Sequence, residues 1–145
     1  ILDEAGDRKT IIWACFVAEV ELLAEHLSKR GKVGVFYGKT SNQQREQVIR
    51  EFQEGDIDFF VGTPASGGIG LTLTAASTAI YWSKNFSLTE WLQSQDRVHR
   101  IGQKHNVTIL SIIAEKTIDE KIHQALLTKQ DLQEMLLKNP AEIFD

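Results

Sequence analysis

Apolar runs rich in β-branched and aromatic residues alternate along this chain with segments whose apolar positions recur every three or four residues. Thr10–Phe16 reads as a buried strand. Val17–Arg30 places Val17, Val20, Leu23, Ala24 and Leu27 at helical spacing and stops at Gly31. Val33–Tyr37 predicts a second strand. Ser41–Glu54 predicts a helix opened by a capping box, Ser41 with Gln44, carrying Val48, Ile49 and Phe52 on one stripe and ending at Gly55. Strands follow at Ile57–Val61 and, after a Gly-rich turn, at Thr78–Trp82. Ser87 with Glu90 predicts the cap of a helix that continues through Arg97 and stops at Gly102. Val107–Ala114 predicts a fifth strand, and Thr117 with Glu120 the cap of a last helix reaching about Leu137. Strands separated by helices require crossover connections. The expected fold is therefore α/β, a mainly parallel sheet covered on both faces.

Composition sharpens this only a little. At 145 residues the chain suits one domain with a real core, and 42% hydrophobic with 25% charged residues is ordinary for a globular protein. No apolar run approaches the ~20 residues that span a bilayer, so no membrane partner is expected. The opening Ile1-Leu2-Asp3-Glu4 has neither Met nor the basic-then-apolar pattern of a secretory leader. We expect a piece of a longer protein: 1–9 an incoming linker or helix end, 10–137 the domain, 138–145 a tail. The single cysteine, Cys15, excludes an internal disulfide, fits a reducing compartment, and reads as a buried thiol. Net charge −4 argues against a stand-alone nucleic-acid binder, but leaves room for a narrow phosphate-contacting strip.

The candidate chemistry centres on Gln93-Ser94-Gln95-Asp96-Arg97-Val98-His99-Arg100-Ile101-Gly102-Gln103. Arg97 and Arg100, three apart in a predicted helix, are expected to leave one face near its end as a pair of fixed cations. Such a pair suits a phosphate that gains charge during reaction. The alternative is two surface arginines paired with Asp96 or Glu90. Other apparent sites fail on spacing. Gly38-Lys39-Thr40 imitates the end of a P-loop, but the required Gly five positions earlier is Val33, and Gly34 is one residue too close. Asp3-Glu4-Ala5-Gly6 imitates a magnesium-binding Asp-Glu box without the strand that should precede it. The four histidines lack metal-ligand spacing.

The segment from Gln93 to Gln103 resembles motif VI of the superfamily-two helicases in the form found in Swi/Snf-type DNA translocases, with matches at Gln93, Asp96, Arg97, His99, Arg100, Ile101, Gly102 and Gln103. Thr63-Pro64-Ala65-Ser66-Gly67-Gly68-Ile69-Gly70-Leu71-Thr72-Leu73 resembles motif V, with Ser66 in place of a small Ala and Thr72 in place of an Asn. Ile11–Phe16 is similar to motif IV, and Gly38-Lys39-Thr40-Ser41 with Arg45, Ile49 and Phe52 to the family's next conserved run. Thr117-Ile118-Asp119-Glu120-Lys121-Ile122 is similar to the run that closes the second lobe.

This resemblance, covering about residues 10–137, implies a RecA-like three-layer α/β/α sandwich, the second of two motor lobes. It implies ATP and Mg2+ held mainly by the N-terminal RecA-like lobe of the same polypeptide, so the isolated domain is expected to be inactive. Arg100 is then the arginine finger toward the γ-phosphate, with Arg97 beside it. Gln93 and Asp96 orient the arginines or bridge the lobes, and Gly67, Gly68 and Gly70 couple the nucleotide cleft to the DNA. Lys39, Thr40, Arg45, Thr63 and Ser66 are implied DNA contacts. Phe86 is implied as a groove aromatic, with a core aromatic as the other reading. Two alternatives remain: an RNA-helicase-type lobe, and a non-catalytic interaction module derived from a helicase lobe. The short connection between motifs V and VI suggests a bacterial or phage protein. That would place it in the cytoplasm, nucleoid-associated in a bacterium or in the host cytoplasm for a phage.

Overall fold

The five apolar runs become the five strands of one parallel sheet, placed across it with the second strand of the chain at one edge, then the third, first, fourth and fifth. The computed structural model describes residues 2, 9–66 and 71–138. In chain order the elements are β1 (Thr10–Trp13), α1 (Val17–Leu27), β2 (Val33–Phe36), α2 (Asn42–Glu54), β3 (Phe59–Gly62), a short 3-10 turn (Pro64–Ser66), β4 (Thr78–Tyr81), α3 (Leu88–Asp96), β5 (Thr108–Ser111) and α4 (Ile118–Lys138). β1 is central, pairing Ile11 with Phe60 on one side and with Ala79 on the other.

Side chains alternate across the sheet, so each strand feeds two cores. On one face Ile11, Trp13, Phe60, Ala79 and Tyr81 meet Phe52 of α2, Trp91 of α3, and Ile122 and Leu126 of α4. On the other, Ile12, Val61 and Ile80 meet Val20 and Leu27 of α1. This is the expected three-layer α/β/α sandwich with a parallel sheet, one layer being a single helix.

The strands are shorter than the apolar runs, and the reason is visible at both ends. Ile57 is buried, yet its N–H bonds to Glu51 O and lies outside the ladder. Hydrophobicity records burial, whereas strand ends are set by backbone pairing. Beyond β1, the Cys15 N–H turns to Ser83 Oγ at 2.8 Å, and Phe16 becomes the N-cap of α1.

The Ser41 cap forms as expected: Gln44 N donates to Ser41 Oγ at 3.3 Å, and Ser41 N donates to Gln44 Oε1 at 3.1 Å. At α3 only half of the expected box forms. Ser87 Oγ accepts from Glu90 N, while the Glu90 carboxylate accepts from Asn85 Nδ2 at 2.7 Å. At α4, Thr117 Oγ1 accepts from Asp119 N in place of Glu120. A cap with no sequence signature closes α2: Lys9 Nζ donates to the carbonyls of Phe52, Gly55 and Ile57 at 2.6, 2.7 and 2.9 Å.

One correction bears on the site. The helix expected to carry both arginines ends at Asp96, with Arg97 as its C-cap. Val98 N and His99 N both bond Gln95 O, which tightens the chain out of the helix before Arg100. The two arginines therefore do not share a helix face.

Candidate functional site

The parallel sheet sorts the candidate residues by strand end. Tyr37–Thr40, Thr63–Ser66 and Trp82–Ser87 follow the carboxyl ends of β2, β3 and β4, so they share one edge of the sheet. α3 then runs back, which places the Arg97–Gln103 loop at the opposite edge, where Gln103 bonds Ala76 O just ahead of β4.

α3 is seated by Trp91, Ser94 and the following Val98, all buried. Ser94 Oγ lies 2.5 Å from Tyr81 Oη and donates to Trp91 O at 2.8 Å. That seat leaves Gln93 and Asp96 exposed. Neither hydrogen-bonds nor ion-pairs with an arginine among the described residues.

Arg97 is only 7% exposed, and no acceptor or carboxylate among the described residues lies within bonding distance of its guanidinium. Burial first, then the charge of Arg100, lowers its pKa from the usual arginine value, against a smaller opposing effect of Asp96. An arginine does not lose its proton in a protein, so this is a buried cation with no paired anion among the described residues. Arg100 is exposed and rests on neutral partners, Nη1 donating to Leu71 O at 2.9 Å and Thr72 Oγ1 at 3.2 Å. Leu73 N donates to Arg97 O at 2.9 Å. A groove of about 830 Å3 lies alongside, lined by Asp96, His99, Arg100, Ile101 and His105 among others.

At the other edge, Thr40 and Arg45 hold the turn after β2. Thr40 N bonds Tyr37 O at 3.0 Å, and Tyr37 N bonds Thr40 Oγ1 at 3.1 Å. Arg45 donates from Nε to Thr40 O at 3.0 Å and from Nη2 to Tyr37 O at 3.2 Å, with its guanidinium 5.0 Å from the Phe36 ring centre. Lys39 is exposed on the turn they clamp. Thr63 is buried and donates to Ser66 Oγ at 2.8 Å, while Phe36 O accepts from Thr63 N and Ser66 Oγ.

Gly67, Gly68 and Gly70 lie outside the described residues, as do Asp3-Glu4-Ala5-Gly6 and 139–145. On either side of the glycines, Thr63 and Ser66 bond the β2–β3 edge, and Leu71, Thr72 and Leu73 bond the arginine loop. One segment thus spans both edges of the sheet.

Phe86 is 47% exposed, so it is not a core aromatic. Lys129 of α4 donates to Phe86 O at 2.7 Å and sits 5.9 Å from its ring centre. A second tie joins the same loop to α4: Lys84, 9% exposed, lies with Nζ 2.8 Å from His123 Nδ1. Spacing rules that look for metal ligands pass over His123, because its partner is 39 residues away. Cys15 is half-buried, its thiol pushed up to about 11 chiefly by burial, so it is a poor nucleophile at neutral pH.

The Lys84–His123 pair makes stability depend on pH. Burial first and the Lys84 charge second hold the His123 pKa below its usual value. The unfolded chain then takes up a proton that the native state resists, so stability falls as pH drops through about 6.5 toward the lower folded value. His123→Gln keeps an acceptor for Lys84 and removes the titration. Between pH 7.5 and 5.5 the parent's melting temperature should fall more steeply than that of this variant. Parallel slopes would reject the pair as the cause.

Comparison with known proteins shows the family. A family model described as helicase conserved C-terminal domain matches residues 1–102. The chromatin-remodeling ATPase INO80 of Emericella nidulans is 31% identical over 140 residues, 95% of this chain and 9% of the relative. Its namesake from Arabidopsis thaliana is 30% identical over 135 residues, 92% of this chain and 9% of the relative. A crystal structure of the C-terminal part of the Fun30 ATPase domain superposes with a TM-score of 0.78 at 32% identity, covering 87% of this chain and 40% of that one. This chain spans about a tenth of the length of the INO80 relatives.

The expected bacterial or phage origin, and the cytoplasmic location that went with it, are corrected by these relatives, which are chromatin-remodeling ATPases of eukaryotes. They align along nearly the whole chain, so a short connection between motifs V and VI does not mark a lineage. With the family model covering more than half of its residues, this chain belongs to the helicase conserved C-terminal domain family, in its Swi/Snf-type branch.

Proposed function

We propose that this lobe is the second half of an ATP-dependent DNA translocase motor, in which Arg100 and Arg97 meet the γ-phosphate of ATP held by an N-terminal RecA-like lobe of the same polypeptide. The observation that carries the reading is the arginine loop: among the described residues Arg97 is buried with no paired anion, and Arg100 rests on a carbonyl and a hydroxyl. A phosphate is a stronger acceptor than either, so closing the two lobes on ATP exchanges weak neutral bonds for charge-assisted ones. Phosphoryl transfer depends mostly on positioning and charge stabilisation, which two fixed guanidinium groups supply. The segment from Thr63 to Leu73 carries the change at the arginines to the opposite edge, where Lys39 and Phe86 face the DNA.

The lobe has no P-loop of its own, because Val33 stands where the first glycine must be. Among the described residues no three of His, Cys, Asp and Glu converge, and none of the steps above runs through Mg2+. ATP turnover is accordingly expected to need the N-terminal lobe, and the lobe assayed alone should show none.

The test is the full-length protein's ATP turnover with duplex DNA and with single-stranded RNA. Stimulation by the duplex supports the reading. Stimulation by RNA instead would favour an RNA-helicase-type lobe, and no turnover at all would favour an interaction module.

A second measurement separates the DNA contacts. Lys39→Ala should weaken duplex binding and lower the slope of log affinity against log salt by about 0.9, one phosphate contact's worth. Anisotropy titrations across salt concentrations read this directly, and an unchanged slope would show Lys39 to be only a solvated charge. Arg45→Lys should weaken binding too, because lysine cannot bridge the Tyr37 and Thr40 carbonyls as a planar fork does.

A further inference from the structure

The arginine loop needs a fixed geometry, yet it lies outside any helix, and Arg100 is exposed. What holds it is Gln103. Its side-chain amide donates from Nε2 to Ala76 O at 2.7 Å and to Val98 O at 3.0 Å, while Oε1 accepts from His105 N at 3.1 Å. Its backbone N–H donates to Arg100 O at 3.0 Å. Both amide hydrogens and the amide oxygen are engaged. Two carbonyls on one side and an N–H on the other permit only this orientation of the amide. The turn that brings Gln103 back over Arg100 passes through Gly102 at φ +101°, a conformation that favours glycine.

These bonds reach both ways. Val98 O and His105 N bracket the arginine loop. Ala76 O belongs to the segment entering β4, the same segment whose Leu71 O and Thr72 Oγ1 receive Arg100 and whose Leu73 N bonds Arg97 O. One half-buried side chain thus fixes the distance between the loop that carries the arginines and the segment on which Arg100 rests. A hydrophobic contact would tolerate sliding along that segment; three directed hydrogen bonds do not.

We propose that Gln103 is a positioning residue for Arg100: it holds the finger at the height where it meets the transferring phosphate, and touches neither nucleotide nor DNA itself. This deepens the reading of the lobe given above and rests on it. The chemistry asked of Gln103 is two donors and one acceptor at fixed separation. Gln103→Glu therefore removes the function at nearly unchanged shape: a carboxylate still accepts from His105 N, but faces the Ala76 and Val98 carbonyls with no hydrogen to offer. Gln103→Met, equally long and apolar, removes both donors and acceptor without adding charge.

The experiment is single-turnover ATP hydrolysis by the full-length protein on duplex DNA, with enzyme in excess, for Gln103→Glu, Gln103→Met, Arg100→Ala and each Gln103 variant combined with Arg100→Ala. Either Gln103 variant should slow the turnover rate about tenfold to a hundredfold while half-saturation by ATP stays within about twofold, since only transition-state alignment is lost. In the Arg100→Ala background the same substitution should cost less than about twofold, because a positioning residue has nothing left to position. Melting temperatures accompany each variant. A full loss that persists without Arg100 would overturn the proposal and show a general structural role. A large loss from Arg100→Ala with near-normal rates for both Gln103 variants would overturn it while leaving the arginine-finger reading intact. Normal turnover in Arg100→Ala would overturn that reading, and the role of Gln103 with it.

Discussion

Replacing Arg100 by alanine in the full-length protein is expected to lower DNA-stimulated ATP turnover by about 10³–10⁵-fold, the range an arginine finger contributes to phosphoryl transfer. The fold should survive. Arg100 is exposed, and among the described residues its side chain bonds Leu71 O and Thr72 Oγ1, groups that water can satisfy once the guanidinium is gone. Even a charged donor's hydrogen bond contributes only about 1.5–3 kcal/mol, and less where water competes for both partners. Loss of turnover with an unchanged unfolding midpoint would therefore locate the effect in the reaction. Arg100→Lys should recover little, because an ammonium keeps the charge but not the planar fork that spans two phosphate oxygens. Arg97→Ala is a less clean experiment, since Arg97 is buried and its loss leaves a void beside Val98. Near-normal turnover in Arg100→Ala would sink the finger assignment.

Why this residue could be chosen from sequence, and its geometry could not, follows from the range over which each signal acts. The eleven residues from Gln93 to Gln103 are contiguous, so their wording survives in one dimension. The capping box at Ser41 and Gln44 is legible for the same reason, since both partners lie within one helical turn. So are the five strands and four helices, whose periodicity is local. The end of α3 was not legible: nothing between Asp96 and Gly102 breaks a helix by composition, yet Gln95 O takes an i→i−3 bond from Val98 N beside the helical bond from His99 N, and Val98 is buried in the core.

Long-range bonds were hidden altogether. Lys39, Thr40 and Arg45 look like equal phosphate contacts in sequence. In the fold Thr40 and Arg45 bond the backbone of their own turn, whereas Lys39 is exposed with no partner among the described residues. Ser66 reaches Phe36 O across 30 residues, and Lys84 reaches His123 across 39. Gln103 shows both limits at once. Its place in the motif was readable, but its work depends on Ala76, 27 residues earlier.

The second large effect is expected in the core. Phe60→Ala should destabilise the 145-residue chain by about 3–5 kcal/mol, a large share of the total stability of a single domain. Phe60 is fully buried at the centre of β3, where three aromatic rings converge on it: Trp13 edge-on at 5.8 Å, Phe36 at 5.4 Å and Phe52 at 5.5 Å. These come from β1, β2 and α2, so one truncation loosens three elements. Collapse around the void is restricted, because Phe36 and Trp13 are held by strand pairing on either side of β3. Phe60→Leu, which fills most of the space, should cost clearly less. Denaturant unfolding measures both, and a change below about 1 kcal/mol for the alanine variant would mean that the cluster repacks. The effect should also reach the site, since Gly62 and Thr63 lie two and three residues beyond Phe60 and Phe36 O anchors both Thr63 N and Ser66 Oγ. Folded Phe60→Ala protein should then lose some coupling between DNA and ATP turnover. Its loss of folded population should nonetheless leave unchanged the stability effect of Arg100→Ala, which touches none of the same partners.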